Sequence, residues 1–254
     1  MQTASSFFVV AAVVYLGLCA WLYATQRSQI YFPTLEVRHP TAQAMRIESQ
    51  GETIKVWSVS RPGSSALIYF GGNAEDVAGN IDGFSAVFPE RSLYLVNYRG
   101  YGGSSGRPLE AALFHDALAV YDQVRSRHSD IAVMGRSLGS GVAVYLASQR
   151  PVDRLVLVTA YDSLVNVARK HFRWLPVGWL LTERYDSASR VRDIRAPVLV
   201  VIAEDDEIIP RACTEALAKT FPPEQVRVEV VRGTTHNTLD LSPAYLRSVR
   251  AFLM

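Results

Sequence analysis

Short apolar runs recur along most of the chain, and longer amphipathic stretches separate them. The predicted strands lie at 53–60, 66–70, 92–98, 131–134, 155–160, 197–203 and 226–231. Most of these runs are continuously apolar, as in strands that a parallel sheet buries on both faces. The helical patterns lie at 110–127, 138–150, 211–221 and 242–253. Because strands alternate with helices, we predict an α/β fold with a mostly parallel central sheet and helices on both faces.

The interval 161–195 breaks this alternation, because it contains no strand pattern. It carries Trp174, Pro176 and Trp179 among other apolar residues. Insertions between strands of an α/β sheet commonly cover the substrate crevice at the carboxyl ends of the strands. We therefore expect a small helical cap with a lid-like role. The alternative is a helical excursion that packs on the rim of the sheet.

The N-terminal segment from Phe7 to Ala24 contains no charged residue. Its length corresponds to about 27 Å of helix, close to the hydrocarbon thickness of a bilayer. We predict a single-pass membrane anchor over 1–26, followed by one α/β domain over 27–254. A cleaved signal peptide and a buried core helix are the alternatives. The signal peptide is disfavoured because the first six residues lack Lys and Arg and no clear cleavage site follows.

Composition and charge limit the classes of protein to which this chain can belong. The chain has 254 residues, 49% of them hydrophobic, and a net charge of +2. The length and hydrophobic content suffice for one sizeable α/β domain with an appendage. The small net charge gives no strong positive field that would attract nucleic acid. Arg27 and Arg38 follow the anchor, so the positive-inside rule favours a cytoplasmic domain. Cys19 and Cys213 are too few for a disulfide framework and are interpreted as small apolar residues.

The pentapeptide Gly-Arg-Ser-Leu-Gly at 135–139 joins a predicted strand to a predicted helix. A serine in this position sits on a sharp, strained turn, where neighbouring glycines avoid steric clashes. The following helix N-terminus can also stabilise developing negative charge. We predict Ser137 to be a nucleophile. Arg136 either lines the site or faces solvent.

A nucleophilic serine needs a base, which follows it in the chain order Ser, acid, His. His171 and His236 are the two histidines after Ser137. His171 lies in the interval without strands, before any good acid candidate. His236 lies in a loop directly after the last predicted strand, where we predict the base. The alternative is an ordinary histidine of a surface loop.

The acid is expected at the end of an apolar strand, where residues 204–207 are all carboxylates. The short side chain of Asp206 and the approach of 208–210 to the next helix favour this residue. Asp205 is a neighbouring alternative, and Asp162 is a remoter one. The whole cluster can also be interpreted as a polar loop that caps the next helix.

An oxyanion hole requires two N–H donors aimed at the tetrahedral oxygen. We assign one to the backbone of Leu138, directly after the nucleophile. The second is assigned to the backbone of Asn73, because the preceding Gly71-Gly72 permits close approach. The Asn73 side chain could instead hold the loop. A hairpin turn is the competing interpretation, disfavoured by the helical pattern that follows.

Together the segments YFGGNAED, NYRGYGGSSGRP, GRSLGSGVA, APVLVVIAEDDEIIP and GTTHNTL resemble the α/β-hydrolase superfamily. More narrowly, they are similar to its membrane-anchored serine hydrolases, which include depalmitoylases and lysophospholipid lipases. The resemblance implies a triad with Asp206 and His236 in the family's acid and histidine positions. It also implies cleavage of an ester or thioester of a lipid-like substrate. The sequence departs from the family at Gly71, where a histidine is usual. This departure could loosen the oxyanion loop or alter its hydrogen bonds, whereas the backbone donor at Asn73 is expected to survive.

Other functions use the same residues differently. An acyltransferase or a peptidase could run on the same triad, and a non-catalytic membrane-anchored binding module could retain the fold. The glycine-rich loop at 97–106 lacks the lysine of a phosphate-binding Walker motif, so we expect it to brace the site. Acyl transfer through serine requires neither a metal nor an organic cofactor, and we predict none.

Overall fold

A computed structural model describes the chain from residue 2 to 254, with side chains from residue 6 onward. The strands are β1 (Gln43–Ser49), β2 (Glu52–Val59), β3 (Ser65–Phe70), β4 (Ser92–Val96), β5 (Asp130–Arg136), β6 (Arg154–Val158), β7 (Val198–Ala203) and β8 (Val226–Val231). The helices are α1 (Gln2–Ile30), α2 (Ile81–Val87), α3 (Glu110–Arg125), α4 (Leu138–Gln149), α5 (Leu164–His171), α6 (Val177–Leu180), α7 (Arg211–Ala218) and α8 (Pro243–Leu253).

All eight strands form one sheet in the order β1-β2-β4-β3-β5-β6-β7-β8. The strands from β3 to β8 pair in parallel, whereas β2 is antiparallel to both β1 and β4. The predicted α/β architecture is therefore confirmed. Strand β1 has no counterpart in the prediction, because it lies at the edge of the sheet and buries only Ile47 and Ser49. A strand so exposed leaves little hydrophobic pattern in the sequence.

The parallel strands alternate their side chains between two hydrophobic layers. On one face, Ile68 and Val133 pack with α3, α4 and α7. On the other face, Leu67 and Met134 pack with α2 and α8. Both layers are continuous with the centre of the sheet, which explains why β3 and β5 read as uninterrupted apolar runs. This packing fixes the carboxyl ends of β3 and β5 side by side.

The N-terminal helix α1 is long and apolar enough over Ser6–Ile30 to cross a membrane. Its side chains are exposed from residue 6 to residue 17, and the first buried one is Cys19. The helix continues to Ile30, beyond the predicted end of the anchor at residue 26. The first four residues after the predicted anchor are thus helical as well. Tyr31, directly after it, is buried in the core of the α/β domain.

The interval between β6 and β7 contains no strand, as predicted. It consists of α5, α6 and a short 3₁₀ turn at Ala188–Asp193. Ser163 caps α5 by accepting the backbone N–H of Asn166 at 3.1 Å. Helix α5 buries Val165 and Val167, and α6 buries Val177. We call residues 161–195 the cap below.

Candidate active site

Ser137 occupies the turn between β5 and α4 with φ 49° and ψ −117°. This left-handed conformation is strained for a residue other than glycine. A β-carbon on Gly139 would lie 2.1 Å from the carbonyl oxygen of Phe70, and one on Gly135 would lie 2.3 Å from the carbonyl oxygen of Gly139. Both contacts are far too short, so this turn requires glycine at both positions. The serine is thereby held at the N-terminus of α4.

Asp206 and His236 come together from the loops after β7 and β8. The ring nitrogen Nδ1 of His236 lies 3.0 Å from Oδ1 and 2.9 Å from Oδ2 of Asp206. Both side chains are buried, with 2% of Asp206 and 7% of His236 exposed. Asp206 Oδ1 also accepts the backbone N–H groups of Ile208 and Ile209. An Nδ1–H that donates to the carboxylate leaves Nε2 as the basic nitrogen of the ring.

The alternative acids and the alternative histidine lie elsewhere. The side chain of Asp205 is exposed, and its backbone N–H donates to Thr234. Asp162 accepts a hydrogen bond from the Asn166 amide within the cap. The exposed ring of His171 hydrogen-bonds the backbone carbonyl of Ile208 at 2.9 Å. Of the four carboxylates at 204–207, Asp206 is the one whose side chain hydrogen-bonds the His236 ring.

The predicted oxyanion loop after β3 lies against Ser137. A β-carbon on Gly72 would be 3.7 Å from Cβ of Ser137. The N–H of Gly72 is occupied, because it donates to Glu75 Oε2 at 2.6 Å. Within residues 6–254, no hydrogen-bond acceptor is recorded for the backbone N–H of either Asn73 or Leu138. These two donors are the ones that the sequence assigns to the oxyanion hole.

The oxyanion loop is braced although it lacks the family's usual histidine. The hydroxyl of Tyr98 donates to the Gly71 carbonyl at 2.6 Å. Glu75 accepts the Tyr69 hydroxyl at 2.7 Å in addition to the Gly72 N–H. Burial raises the pKa of Tyr69 and of Tyr98 well above the usual value, so both remain hydroxyl donors. A β-carbon on Gly71 would lie 2.6 Å from Val77. Tyr98 and Glu75 therefore hold this loop through hydrogen bonds, without the family's usual histidine.

The Asn73 side chain joins the oxyanion loop to the end of α1. Its Nδ2 donates to the carbonyl of Ile30 at 2.6 Å. Its Oδ1 accepts the Phe32 N–H at 3.0 Å and the Tyr101 hydroxyl at 2.8 Å. The interpretation in which this side chain holds the loop is thus compatible with a backbone donor role, because the side chain and the backbone N–H act separately.

Arg136 is the residue of this site whose role the sequence leaves open. Its Nη2 donates to the carbonyl of His236 at 2.9 Å. Its Nη1 lies 3.6 Å from Glu75 Oε2 and 3.8 Å from Asp240 Oδ2. Burial opposes its charge, but its electrostatic interactions with Tyr69, Glu75 and Asp240 outweigh burial and raise the pKa of Arg136. The guanidinium thus connects the histidine loop to the oxyanion loop, a contact between distant loops that leaves no sequence signal.

A cavity of about 560 Å³ opens above Ser137 and Leu138. The cap covers it with apolar side chains, among them Leu164, Val167, Leu175 and Leu180. Helix α1 and the residues after it form a further wall, to which Leu22, Gln26, Gln29, Ile30 and Phe32 contribute. The volume lies within the range of small-molecule binding sites. The predicted anchor is therefore also a wall of the site.

A buried carboxylate holds α1 in this position. Glu183 of the cap accepts the Tyr31 hydroxyl at 2.6 Å and the Arg27 Nε–H at 3.0 Å. It also accepts the backbone N–H of Glu110 at 2.6 Å. The Glu110 carboxylate in turn accepts the N–H groups of Arg184 and Tyr185. Helices α1 and α3 and the cap are thus joined through two acidic side chains.

A parallel sheet that presents a serine on a strand-to-helix turn, with an aspartate and a histidine after later strands, defines the α/β-hydrolase class. A sequence model described as the alpha/beta hydrolase fold matches residues 65–192. An uncharacterized protein of Mycobacterium tuberculosis is 35% identical over 262 residues, covering 96% of this chain and 92% of that protein. The chain belongs to the α/β-hydrolase family.

Further relatives carry functional names. The lysophosphatidylserine lipase ABHD12 of Gallus gallus is 26% identical, over 87% of this chain and 66% of that protein. Among solved structures, the esterase Pf2001 of Pyrococcus furiosus superposes with a TM-score of 0.72 at 15% identity, covering 88% of this chain and 98% of that one. The esterase Est1E of Butyrivibrio proteoclasticus, solved with ferulic acid, gives 0.66 at 17% identity over 83% and 96%. At such identities the two structures establish the fold alone.

Proposed function

We propose that the protein is a membrane-anchored serine hydrolase that cleaves an ester or thioester of a lipid-like acyl substrate. The observation that carries this proposal is the strained Ser137 turn at the floor of the apolar cavity. Strain of this kind persists only where the surrounding packing enforces it, and it concentrates at functional sites. The Asp206–His236 pair supports the proposal, because a histidine that Asp206 holds through Nδ1 offers Nε2 as a general base.

The reaction is a two-step acyl transfer to water. Nε2 of His236 takes the Ser137 proton while Oγ attacks the substrate carbonyl carbon. The N–H groups of Leu138 and Asn73 donate to the oxygen that becomes negative. The tetrahedral intermediate collapses, and the alcohol or thiol leaves with the proton from the imidazolium. Water, activated by the same histidine, then hydrolyses the acyl-enzyme, while Asp206 holds the ring in its productive tautomer.

The lining of the cavity supports a substrate with one long acyl chain. Its walls are mostly aliphatic and aromatic, and Ser137, Leu138 and Asn73 are among the residues that line it. A relative named as a lysophosphatidylserine lipase has the same chemical requirement, a single acyl chain beside a polar headgroup. Lysophospholipids and acyl thioesters are therefore the first substrates to test.

The contacts of α1 support a retained anchor over a cleaved signal peptide. Gln26 donates to the Leu180 carbonyl at 3.1 Å and accepts the Thr182 N–H at 2.7 Å. Cys19 and Tyr31 are buried. Cleavage within this segment would open the wall of the cavity and expose the cap. The weak positive-inside signal from Arg27 and Arg38 favours a cytoplasmic catalytic domain.

The test is serine-directed labelling together with lipid hydrolysis. In the full chain in detergent, Ser137→Ala should abolish labelling by a fluorophosphonate probe and reduce ester hydrolysis by at least about 10³-fold. Ser148→Ala is the matched control, because its hydroxyl lies on the same helix and bonds only within it. Labelling that persists in Ser137→Ala would refute the assignment of the nucleophile.

Labelling and product analysis of the same protein sample distinguish two alternative functions. An acyltransferase or a peptidase would label equally well but would prefer an alcohol, an amine or a peptide over water, so the products identify it. A non-catalytic binding module would give no labelling in the native protein. A panel of lysophospholipids and acyl thioesters, offered with and without added acceptors, then defines the reaction.

A further inference from the structure

The cap presents large aromatic side chains to its surroundings on the side nearest to α1. The exposed fractions are 49% for Phe172, 60% for Trp174 and 91% for Trp179. They lie within eight residues of one another, around the short helix α6. An exposed cluster of this composition is unfavourable in water and typical of a surface that meets a membrane or a protein.

Hydrogen bonds between the cap and α1 define where this cluster lies along the axis of α1. The hydroxyl of Tyr15 donates to the backbone carbonyl of Trp174 at 2.9 Å. Closer to the C-terminal end of α1, Gln26 contacts Leu180 and Thr182. The cap therefore runs along α1 from about the level of Tyr15 to the level of Gln26. Trp174 therefore lies at the level of Tyr15, near the middle of α1, and Trp179 lies closer to the C-terminal end of α1, at the level of Gln26.

Because the cap is hydrogen-bonded to α1, a bilayer that α1 spans must also contain part of the cap. The apolar segment from Phe7 to Ala24 fills the hydrocarbon layer only if all of its about 27 Å are immersed. Tyr15 lies near the middle of that segment, about 13 Å from its C-terminal end. A spanning α1 thus carries the loop that contains Trp174 below the headgroups. If the cap stayed in water, only about half of the hydrocarbon thickness would be spanned.

The charges on the cap agree with immersion. Helix α5 and the residues after it expose Arg169, Lys170 and Arg173. These cations line a cleft of about 460 Å³ between α5 and α7. In the part of the chain that the structure describes, none of the three forms a salt bridge, and Asp162 is the one carboxylate that lines the same cleft. Long cationic side chains beside immersed aromatics extend to the headgroup level, where they attract anionic lipids.

We propose that the cluster of Phe172, Trp174 and Trp179 is inserted in the bilayer leaflet next to the catalytic domain, with Trp174 deeper than Trp179. The proposal rests on the proposed membrane anchor, and it deepens the proposed function by giving the substrate a route. Because Leu22 of α1 and Leu175 of the cap both line the cavity, an acyl chain can pass from the leaflet towards Ser137 between these two elements. The occupant of the aromatic surface is lipid.

The direct test is depth-dependent quenching of tryptophan fluorescence in the full chain reconstituted into phosphatidylcholine vesicles. Trp21→Phe and Trp57→Phe together leave Trp174 and Trp179 as the fluorophores, and a further change to Phe isolates each one. We expect lipids brominated deep in the acyl chain to quench Trp174 more strongly than Trp179, and lipids brominated near the headgroup to do the reverse. A protein that keeps only Trp57, which is buried in β2, is the unquenched control.

Quenching needs no turnover, so the same measurement on Ser137→Ala separates this proposal from the catalytic one. Emission that brominated lipids leave unchanged but acrylamide quenches would place the cap in water and overturn the proposal. Emission that neither quencher reaches would mean that a second copy or another protein covers the surface, which also overturns it. Equal quenching of both tryptophans at all depths would refute the predicted orientation.

A functional readout accompanies the spectroscopy. Changing Trp174 and Trp179 together to Ser, neither of which lines the cavity, should lower hydrolysis of a long-chain ester embedded in vesicles by at least tenfold. Hydrolysis of a short soluble ester should stay within twofold, which also shows that the variant folds. Equal loss on both substrates would mean that the aromatic residues support the fold and not the bilayer contact.

Discussion

Replacement of Asn73 by Ala tests whether the side chain of the oxyanion loop positions the backbone donor. The change leaves the N–H of residue 73 in place but removes four hydrogen bonds, to Ile30, Phe32, Ala74 and Tyr101. A hydrogen bond of this kind contributes about 0.5–1.5 kcal/mol. Asn73 is partly exposed, so water replaces part of this loss. We expect the free energy of unfolding to fall by about 2–3 kcal/mol.

The expected catalytic effect is larger than the effect on binding. Loss of an entire oxyanion donor costs about 10²–10³ in kcat. Here the donor remains but its loop loses its fixed position, so kcat should fall by about 10- to 100-fold, with KM changed less than about threefold. Melting curves and steady-state kinetics on a short soluble ester measure both effects. Gln149→Ala, an exposed amide at the end of α4, serves as the neutral control.

A second variant distinguishes positioning from simple destabilisation. Asn73→Asp retains the acceptor oxygen but sets a carboxylate oxygen against the Ile30 carbonyl and adds negative charge near the oxyanion. Its kcat should fall below that of the Ala variant, since the charge opposes the developing oxyanion. An Ala variant with the Tm and kcat of the native protein would refute the reasoning. So would a loss of kcat that disappears at lower temperature, because it would reflect unfolding alone.

Two further changes probe the rest of the site. Asp206→Asn should lower kcat/KM by about 10³–10⁴-fold, because the amide favours the wrong histidine tautomer. Asp205→Asn should change kcat/KM less than twofold. Equal losses in the two variants would refute the assignment of Asp206 as the acid. Arg136→Ala should lower kcat about tenfold, because it removes the hydrogen bond and the charge contact that connect the histidine loop to Glu75. Arg136→Lys keeps the positive charge but not the guanidinium geometry, so it should restore only part of that loss, and an unchanged kcat in the Ala variant would refute this positioning role of Arg136.

The parts of the site that could be predicted from the sequence are those with a local signature. Ser137 lies between glycines that adjoin a strand and a helix, and the strain at the turn follows from that arrangement. Asp206 and His236 follow apolar strands, whose carboxyl ends must meet at one edge of a parallel sheet. Asn73 follows two glycines after such a strand. In each case a periodic run of apolar residues locates the neighbouring polar residue.

The parts that could not be predicted depend on contacts between segments far apart in the chain. Arg136 bonds a carbonyl one hundred residues away, and a carbonyl acceptor exists at every position, so no residue type marks it. Glu183 lies in the cap, and from the sequence alone its carboxylate would be taken for an exposed loop charge. In the structure, Arg27 and Tyr31 donate hydrogen bonds to it. Strand β1 pairs with β2 at the edge and exposes most of its side chains, so it lacks hydrophobic periodicity.

The same contacts decide whether the anchor and the catalytic domain are separate units. The end of α1 accepts a hydrogen bond from the oxyanion loop through Ile30, and Phe32 donates one back to Asn73. Tyr31 between them is buried and hydrogen-bonded to Glu183 of the cap. A tether joined by a flexible linker would need none of these bonds, and the backbone of a linker would be solvated. The geometry that holds the proposed oxyanion donor therefore includes the last turn of the helix. If α1 is the proposed membrane anchor, one set of hydrogen bonds fixes both the anchor and the candidate active site relative to the domain.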